Sequence, residues 1–243
     1  MKKTKFTALL LCITLVLSGC ASMNNTTKGG LIGGGGGAAL GTLIGGAVSS
    51  KSDKTKGRII GAIIGTAIGG GTGVLIGNKM DKAAQQAAAI EGAQVEQITD
   101  NNGLQAVKVT FDSGILFGTG VATLSSSAKA SLSKFANNVL KQNADMDVDI
   151  YGYTDNQGWK NSTVEQSRQK NLDLSQERAQ SVSSYLMSCG ITSAQIKGVQ
   201  GLGEESPVAD NSTAAGRQEN RRVEVYMYAS PEMIQKAEAG TLK

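Results

Sequence analysis

The sequence predicts an α+β domain with the element order β-α-β-α-β-β, two main helices lying on one face of a mixed sheet, preceded by a helical hairpin. Three observations carry this. Strand-like patterns occupy Val95–Ile98, Ala106–Phe111, Met146–Tyr153, Ile196–Leu202 and Arg222–Ala229. Apolar residues recur at helical spacing from Ala128 to Leu140 and from Ala179 to Leu186. Glycine returns every fourth residue through much of 33–77, a region without aromatics.

Residues 1–19 have the layout of a secretory signal: Lys2, Lys3 and Lys5, an apolar run from Phe6 to Leu17, then Leu17-Ser-Gly-Cys20. The run is too short for an ordinary membrane span of about 20 residues. It resembles a bacterial lipoprotein signal, which implies that Cys20 is acylated, with palmitate among its lipids, and becomes the first residue. Ala21 after the cysteine implies sorting to the outer membrane. Residues 20–28 then form a lipidated tether.

Without 1–19 the chain would hold 21 basic and 20 acidic residues, so no nucleic-acid partner is expected. The charges are uneven, +7 and −3 over Cys20–Gly92 against +14 and −17 over Ala93–Lys243, which places the basic end at the membrane. There is no histidine, and Cys189 is the one thiol left after Cys12 and Cys20. The usual zinc sets and histidine triads are therefore excluded, and neither cofactor, metal nor enzymatic activity is expected. Cys189, before Gly190, is expected as a small buried hydrophobe at a helix end.

Residues 29–79 hold 18 of the 32 glycines, with Gly33, Gly37, Gly41 and Gly45 in one repeat and Gly57, Gly61, Gly65, Gly69, Gly73 and Gly77 in a second. On a helix, a spacing of four sets glycines along one stripe where two backbones can approach closely. Each glycine costs about 1 kcal/mol of helix propensity in water, but in lipid helix formation is enforced by the backbone's own polar groups. Two segments of about 20 residues, each about 30 Å as helix, would match a bilayer core as a transmembrane hairpin turning at Ser49–Lys56. A flexible glycine-rich linker and a zipper that self-associates on the membrane surface are the other readings. The region resembles the glycine-zipper segment of some outer-membrane lipoproteins. Residues 80–92, starting with the Ala- and Gln-rich run Met80–Ile90, are expected to be a helical linker spacing the next domain from the membrane.

From Val95 the pattern becomes β. Val95–Ile98 and Ala106–Phe111 flank Asp100-Asn-Asn-Gly103, a hairpin turn. Ser125–Gln142 reads as a helix with a serine N-cap and an apolar face of Ala128, Leu132, Phe135, Ala136, Val139 and Leu140. Asp147-Val-Asp-Ile150 alternates as a strand buried on one face. Leu174–Cys189 is a second helix with Ser175 as N-cap and Gly190 as its stop. Residues 230–243 are a tail.

An acid, Asp155, at the end of the strand that reaches Tyr153, and a base, Arg178, in the first turns of this second helix suit a ligand carrying both an ammonium and a carboxylate. A guanidinium grips a carboxylate through two charge-assisted hydrogen bonds, and a facing carboxylate selects a zwitterion over a simple acid. Arg178 pairing with Glu177 or Asp155, and Arg221 with Arg222 acting as strand-edge scaffold, are the structural alternatives.

Gly152-Tyr-Thr-Asp-Asn-Gln-Gly158, Asn171-x-x-Leu-Ser-x-x-Arg-Ala-x-x-Val182, Gly201-x-Gly203-x-x-x-Pro207 and Gly216-Arg-x-x-Asn-Arg-Arg-Val-Glu224 together resemble the OmpA-like peptidoglycan-binding domain over about residues 105–229. With the lipobox and the glycine repeat, the chain is similar to glycine-zipper OmpA-family lipoproteins. The resemblance gives 93–229 the OmpA-like fold. It implies non-covalent binding of the peptidoglycan stem peptide through diaminopimelate, with Asp155 on the ammonium, Arg178 on the carboxylate, and Thr154, Asn171 and Arg221 lining the pocket. It also implies outer-membrane location, with anchoring through the N-terminal lipid and the zipper and the C-terminal domain in the periplasm. A homo-oligomeric assembly built on the zipper is the alternative, the domain then only positioning it at the wall.

Two departures stand out. Phe117-Gly-Thr-Gly120 replaces the family's Phe-Asp-x-Asn, removing a polar contact. Trp159–Lys170 makes a longer polar loop beside the pocket than the family has, carrying Trp159, Lys160, Glu165, Arg168 and Lys170. Trp159 either stacks on glycan or caps the core edge.

Overall fold

The computed structural model describes residues 70–99 and 105–242. The signal segment, Cys20, the tether, most of the glycine repeat with the Ser49–Lys56 turn, and the Asp100–Gly103 turn lie outside the described residues. Five strands form one sheet in the order β1-β2-β5-β3-β4: β1 (Ala93–Thr99), β2 (Gln105–Asp112), β3 (Met146–Gly152), β4 (Ile196–Gly201) and β5 (Arg222–Ala229). Only β3 and β4 pair in parallel, so the sheet is mixed as expected.

Alternate residues of the three central strands, among them Val107, Val109, Phe111, Val148, Ile150, Val225 and Met227, enter one apolar core. Onto it pack α3 (Ser126–Phe135) and α4 (Val164–Ser188), with Leu132, Val182 and Leu186 fully buried. The Phe111 and Phe135 rings meet edge to face at 5.6 Å. Ser125 caps α3 through its hydroxyl, and the helix widens into a π turn at Ala136–Leu140 before closing in a 3-10 turn. A short α2 (Ser113–Leu116) follows β2, and α5 (Ala214–Asn220) precedes β5.

The structure departs from the sequence expectations in five places. The end of the glycine repeat and the start of the expected spacer run together in one helix, α1 (Gly70–Ala88), which packs on the domain and does not hold it at a distance. Its Ile76, Met80, Ala83 and Ala87 fall on one stripe and are buried in the domain core, so small side chains that suggest a spacer are packing residues. Among the described residues no helix is long and apolar enough to cross a membrane. The expected tail begins with α6 (Pro231–Glu238), started by the Ser230 cap and a proline in its first turn, and its Met233, Ile234 and Ala237 join the core beside α1.

The remaining departures concern β3, α4 and Cys189. β3 is buried on both faces, because Tyr151 and Tyr228 hydroxyls donate to Asp149 and Lys197 reaches Asp147 at 3.6 Å. Burial pushes both carboxyls above the ordinary range. α4 is capped at Thr163 and not at the expected Ser175, through a capping box in which Thr163 and Gln166 satisfy each other's backbone N–H groups. Arg178 therefore sits in mid-helix rather than in the first turns. Cys189 is half-buried and makes a 3.8 Å contact with Ser133 Oγ, and Gly190 follows it at φ +95°.

Two glycines set α4 directly on the sheet. A Cβ on Gly152 would lie 2.1 Å from the Ser175 carbonyl oxygen, and one on Gly201 would lie 2.2 Å from the Gln176 nitrogen. With no side chain between them, the helix backbone rests on the ends of β3 and β4. Asp155, three residues past Gly152, is thereby brought beside Arg178, three residues past Ser175.

Candidate ligand-binding site

At the carboxyl ends of β2 and β3 and the amino end of β5 a cavity of about 690 Å³ opens, walled by the loop after α2 (Phe117–Gly120), the segment after β3 (Thr154–Lys160), α4, and the end of α5. All five residues expected to bind, Thr154, Asp155, Asn171, Arg178 and Arg221, line it. Their roles within it differ.

Asp155 is buried, and its two oxygens are partly used: Oδ2 accepts from Arg221 Nη1 at 2.5 Å and Oδ1 accepts from the Gln157 backbone N–H at 3.0 Å. A carboxylate has about four acceptor sites, so two remain for a ligand donor. Arg221 is the more exposed partner and is steadied by Gln218, which Asp112 holds in turn.

Arg178 is 3% exposed. Its Nε donates to the Val121 carbonyl at 3.2 Å and its Nη2 to the Gly118 carbonyl at 3.4 Å, and it lies over the Phe117 ring at 5.2 Å. Among the described residues no carboxylate pairs with it directly, and Nη1 makes no hydrogen bond. Neither expected structural pairing, with Glu177 or with Asp155, is present. Burial lowers its pKa, the nearby Arg221 cation lowers it further, and Asp155 works in the opposite direction. A buried cation held only by neutral carbonyls is costly unless an anion completes it. The Gly118–Gly120 loop that lacks the family's polar side chain instead supplies a backbone carbonyl to Arg178.

Thr154 is pinned by its backbone N–H to the Gly203 carbonyl at 2.8 Å, while its buried Oγ1 has no partner among the described residues. Ser113 Oγ, at the start of α2 and also in the cavity lining, is in the same condition. Nothing in the local sequence marks Ser113. Two buried, unpaired hydroxyls in one cavity are an unusual cost, met when a ligand supplies their partners.

Asn171 is already occupied. Its Nδ2 donates to the carbonyls of Asp155 and Gln157, and its Oδ1 accepts from Trp159 Nε1 at 2.7 Å, so it holds the site's loop rather than offering itself to a ligand. The half-buried Trp159 ring reaches Gly120, where an added Cβ would lie 3.7 Å from it. It therefore walls the cavity mouth and does not cap the core edge. Arg222, next to Arg221, points away from the cavity: it bonds Glu224 at 2.8 Å and stacks 3.7 Å from the Tyr153 ring. Asn220 is wholly buried, accepting from the Val208 and Ala209 N–H groups and donating to Ala209 and Asn211. Of Asn-Arg-Arg, two members are scaffold and one faces the site. Among the described residues no cluster of acidic or cysteine side chains is arranged to hold a metal ion.

This is the architecture of a binding module: an α+β fold whose strand ends present a pocket in which, among the described residues, the buried Arg178 cation has no carboxylate partner, Asp155 is half-used and the Thr154 and Ser113 hydroxyls are unpaired. The OmpA family profile matches residues 116–221, which include all five expected site residues, and the YMGG-like Gly-zipper profile matches 1–81. The "Probable lipoprotein YiaD" of Escherichia coli strain K12 is 34% identical over 214 residues, covering 87% of this chain and 91% of that protein. The "Peptidoglycan-binding protein ArfA" of Mycobacterium tuberculosis strain H37Rv is 38% identical over 120 residues, covering 49% of this chain and 34% of that protein. Among solved structures, a putative MotB-like protein from Desulfovibrio vulgaris is similar in fold, with a TM-score of 0.52 at 22% identity, covering 63% of this chain and 92% of that one. The chain belongs to the OmpA family, and its N-terminal third carries a glycine zipper.

Proposed function

We propose that the protein is an outer-membrane lipoprotein that binds peptidoglycan non-covalently and so links the membrane to the wall, acting as a tether without enzymatic activity. The ligand is the diaminopimelate side chain of the stem peptide: Asp155 receives its ammonium and Arg178 its carboxylate, with Thr154 and Arg221 completing the pocket and Asn171 holding its loop. The observation that carries this reading is the buried Arg178 guanidinium, which faces the same cavity as Asp155 and has no carboxylate of its own among the described residues. Lipid on Cys20 and the glycine zipper supply the membrane attachment, leaving the domain in the periplasm. The zipper's stripe of small residues also favours self-association, which cross-linking of the membrane form with Gly61→Leu as control would test.

Sedimentation of the full chain, in detergent, with purified sacculi of two chemotypes tests the ligand. Sacculi with diaminopimelate should retain the protein, and sacculi with lysine in its place, which keep the ammonium and lack the carboxylate, should not. Equal retention on both would remove Arg178 from the clamp.

A further inference from the structure

The long segment after Gly158 is not slack. Trp159 is fixed at three points: its N–H donates to Ser167 Oγ at 3.0 Å, its Nε1 to Asn171, and its carbonyl accepts from the Ser162 N–H at 3.2 Å, closing a turn. Asn161 sits in that turn at φ +57°, and the Thr163–Gln166 capping box starts α4 immediately afterwards. Lys170, one helical face further on, lies 5.8 Å from the Trp159 ring and donates to Ser162 Oγ. Of the segment's three basic side chains, Arg168 is held by Glu204 and Lys170 by Ser162, leaving Lys160. Lys160 lines the cavity and is exposed; its carbonyl accepts from Ser162 Oγ, and its ammonium has no ion-pair or hydrogen-bond partner among the described residues.

The charges that line the cavity are then Arg178, Arg221 and Lys160 against Asp155 alone. A ligand offering one ammonium and one carboxylate would leave this surplus of positive charge unchanged. A ligand with more carboxylates than ammonium groups would reduce it, and desolvation in the cavity strengthens the difference. We propose that Lys160 is a specificity-determining residue: carried into the cavity mouth by the pinned turn, it engages a second free carboxylate of the same stem peptide and discriminates against peptides in which that carboxylate is amidated. This rests on the stem-peptide reading above and adds to it the charge state of the ligand.

The test uses the full chain in detergent, with the fluorescence of Trp159, the single tryptophan and a wall of the cavity, as the readout. The probes are L-alanyl-γ-D-glutamyl-meso-diaminopimelate and two analogues, one amidated at the glutamyl α-carboxylate and one at the carboxylate of the amide-linked diaminopimelate centre. For the wild type, one analogue should bind at least about ten-fold more weakly than the parent. In Lys160→Gln the parent should weaken to the level of that analogue, whose own affinity stays the same. Equal affinity of the wild type for all three peptides, or discrimination that survives Lys160→Gln, overturns the proposal while leaving the clamp intact. If the parent peptide does not bind, or binds Asp155→Asn as well as the wild type, the underlying stem-peptide reading fails as well.

Discussion

Arg221 and Arg222 are neighbours in the chain and occupy opposite kinds of environment. Arg222 belongs to a closed polar layer on the sheet. Its guanidinium bonds Glu224 and the carbonyls of Asn220 and Ser206, and Tyr226 donates to the second Glu224 oxygen at 2.7 Å. The Tyr151, Tyr153 and Tyr226 rings fill the spaces between them, Tyr151 and Tyr226 edge to face at 5.7 Å. Arg221 belongs to the cavity, where Arg178, Thr154 and Ser113 keep unused hydrogen-bonding capacity. Both regions bury charge. The layer satisfies its charges internally and holds the fold; the cavity leaves them incomplete and so has something to offer a ligand.

Breaking the layer should therefore damage stability and breaking the cavity should damage binding. The largest effect belongs to Arg222→Ala, which strands the buried Glu224 carboxylate and should cost about 3–5 kcal/mol in denaturant unfolding. If it instead left stability intact and abolished sacculus binding, the division of roles would be wrong. Arg178→Lys keeps the charge and loses the planar fork, so affinity for diaminopimelate-containing sacculi should fall about ten- to a hundred-fold with little change in unfolding midpoint. Thr154→Val removes an unpaired hydroxyl at nearly constant shape. It should leave the protein as stable or slightly more so, and weaken peptide binding by about 1 kcal/mol, about five-fold; a marked loss of stability would mean the hydroxyl has a partner within the fold.

The smallest effect is one of sign against pH. Burial opposes ionisation of Glu224, yet Arg222 and the Tyr226 hydroxyl hold its carboxyl below the ordinary range. Its contribution is thus fully present above the unfolded value and lost as pH falls through the lower folded one. Asp149 has no such cation, and burial raises it. Its contribution is favourable at low pH and lost as pH rises through the raised folded value. Unfolding measured between about pH 2 and 7 should show the advantage of wild type over Glu224→Gln shrinking on acidification, while wild type gains on Asp149→Asn. Parallel trends in the two variants would contradict the assignment.

The strands, α3 and the apolar half of α4 are legible in the sequence because each carries its own periodicity. α4's first turns are not: Val164 and Leu172 are its only large apolar residues before Leu174 and both are exposed, so only the capping box Thr163-x-x-Gln166 announces the start. α1 and the alternation of β3 mislead for a different reason. Ala83 and Ala87 are core only because β1, β2 and α6 meet them, and Asp147 and Asp149 are buried only because Tyr228 and Lys197 arrive from distant segments. The site divides in the same way. Asp155, Arg178 and Thr154 stand out by chemistry and motif, whereas Ser113, Gln218 and the exact office of Asn171 depend on contacts between remote segments that no local pattern encodes.

The central claim is that one cavity clamps a zwitterion between Asp155 and Arg178. Its most direct measurement is the binding isotherm of the full chain on diaminopimelate-containing sacculi for wild type, Asp155→Asn and Arg178→Lys, each checked for an unchanged unfolding midpoint. The clamp predicts that both folded variants lose about ten-fold or more in affinity, since Asp155→Asn removes the negative pole and Arg178→Lys keeps the positive charge but loses the planar fork that grips the carboxylate. Wild-type affinity in both would contradict it.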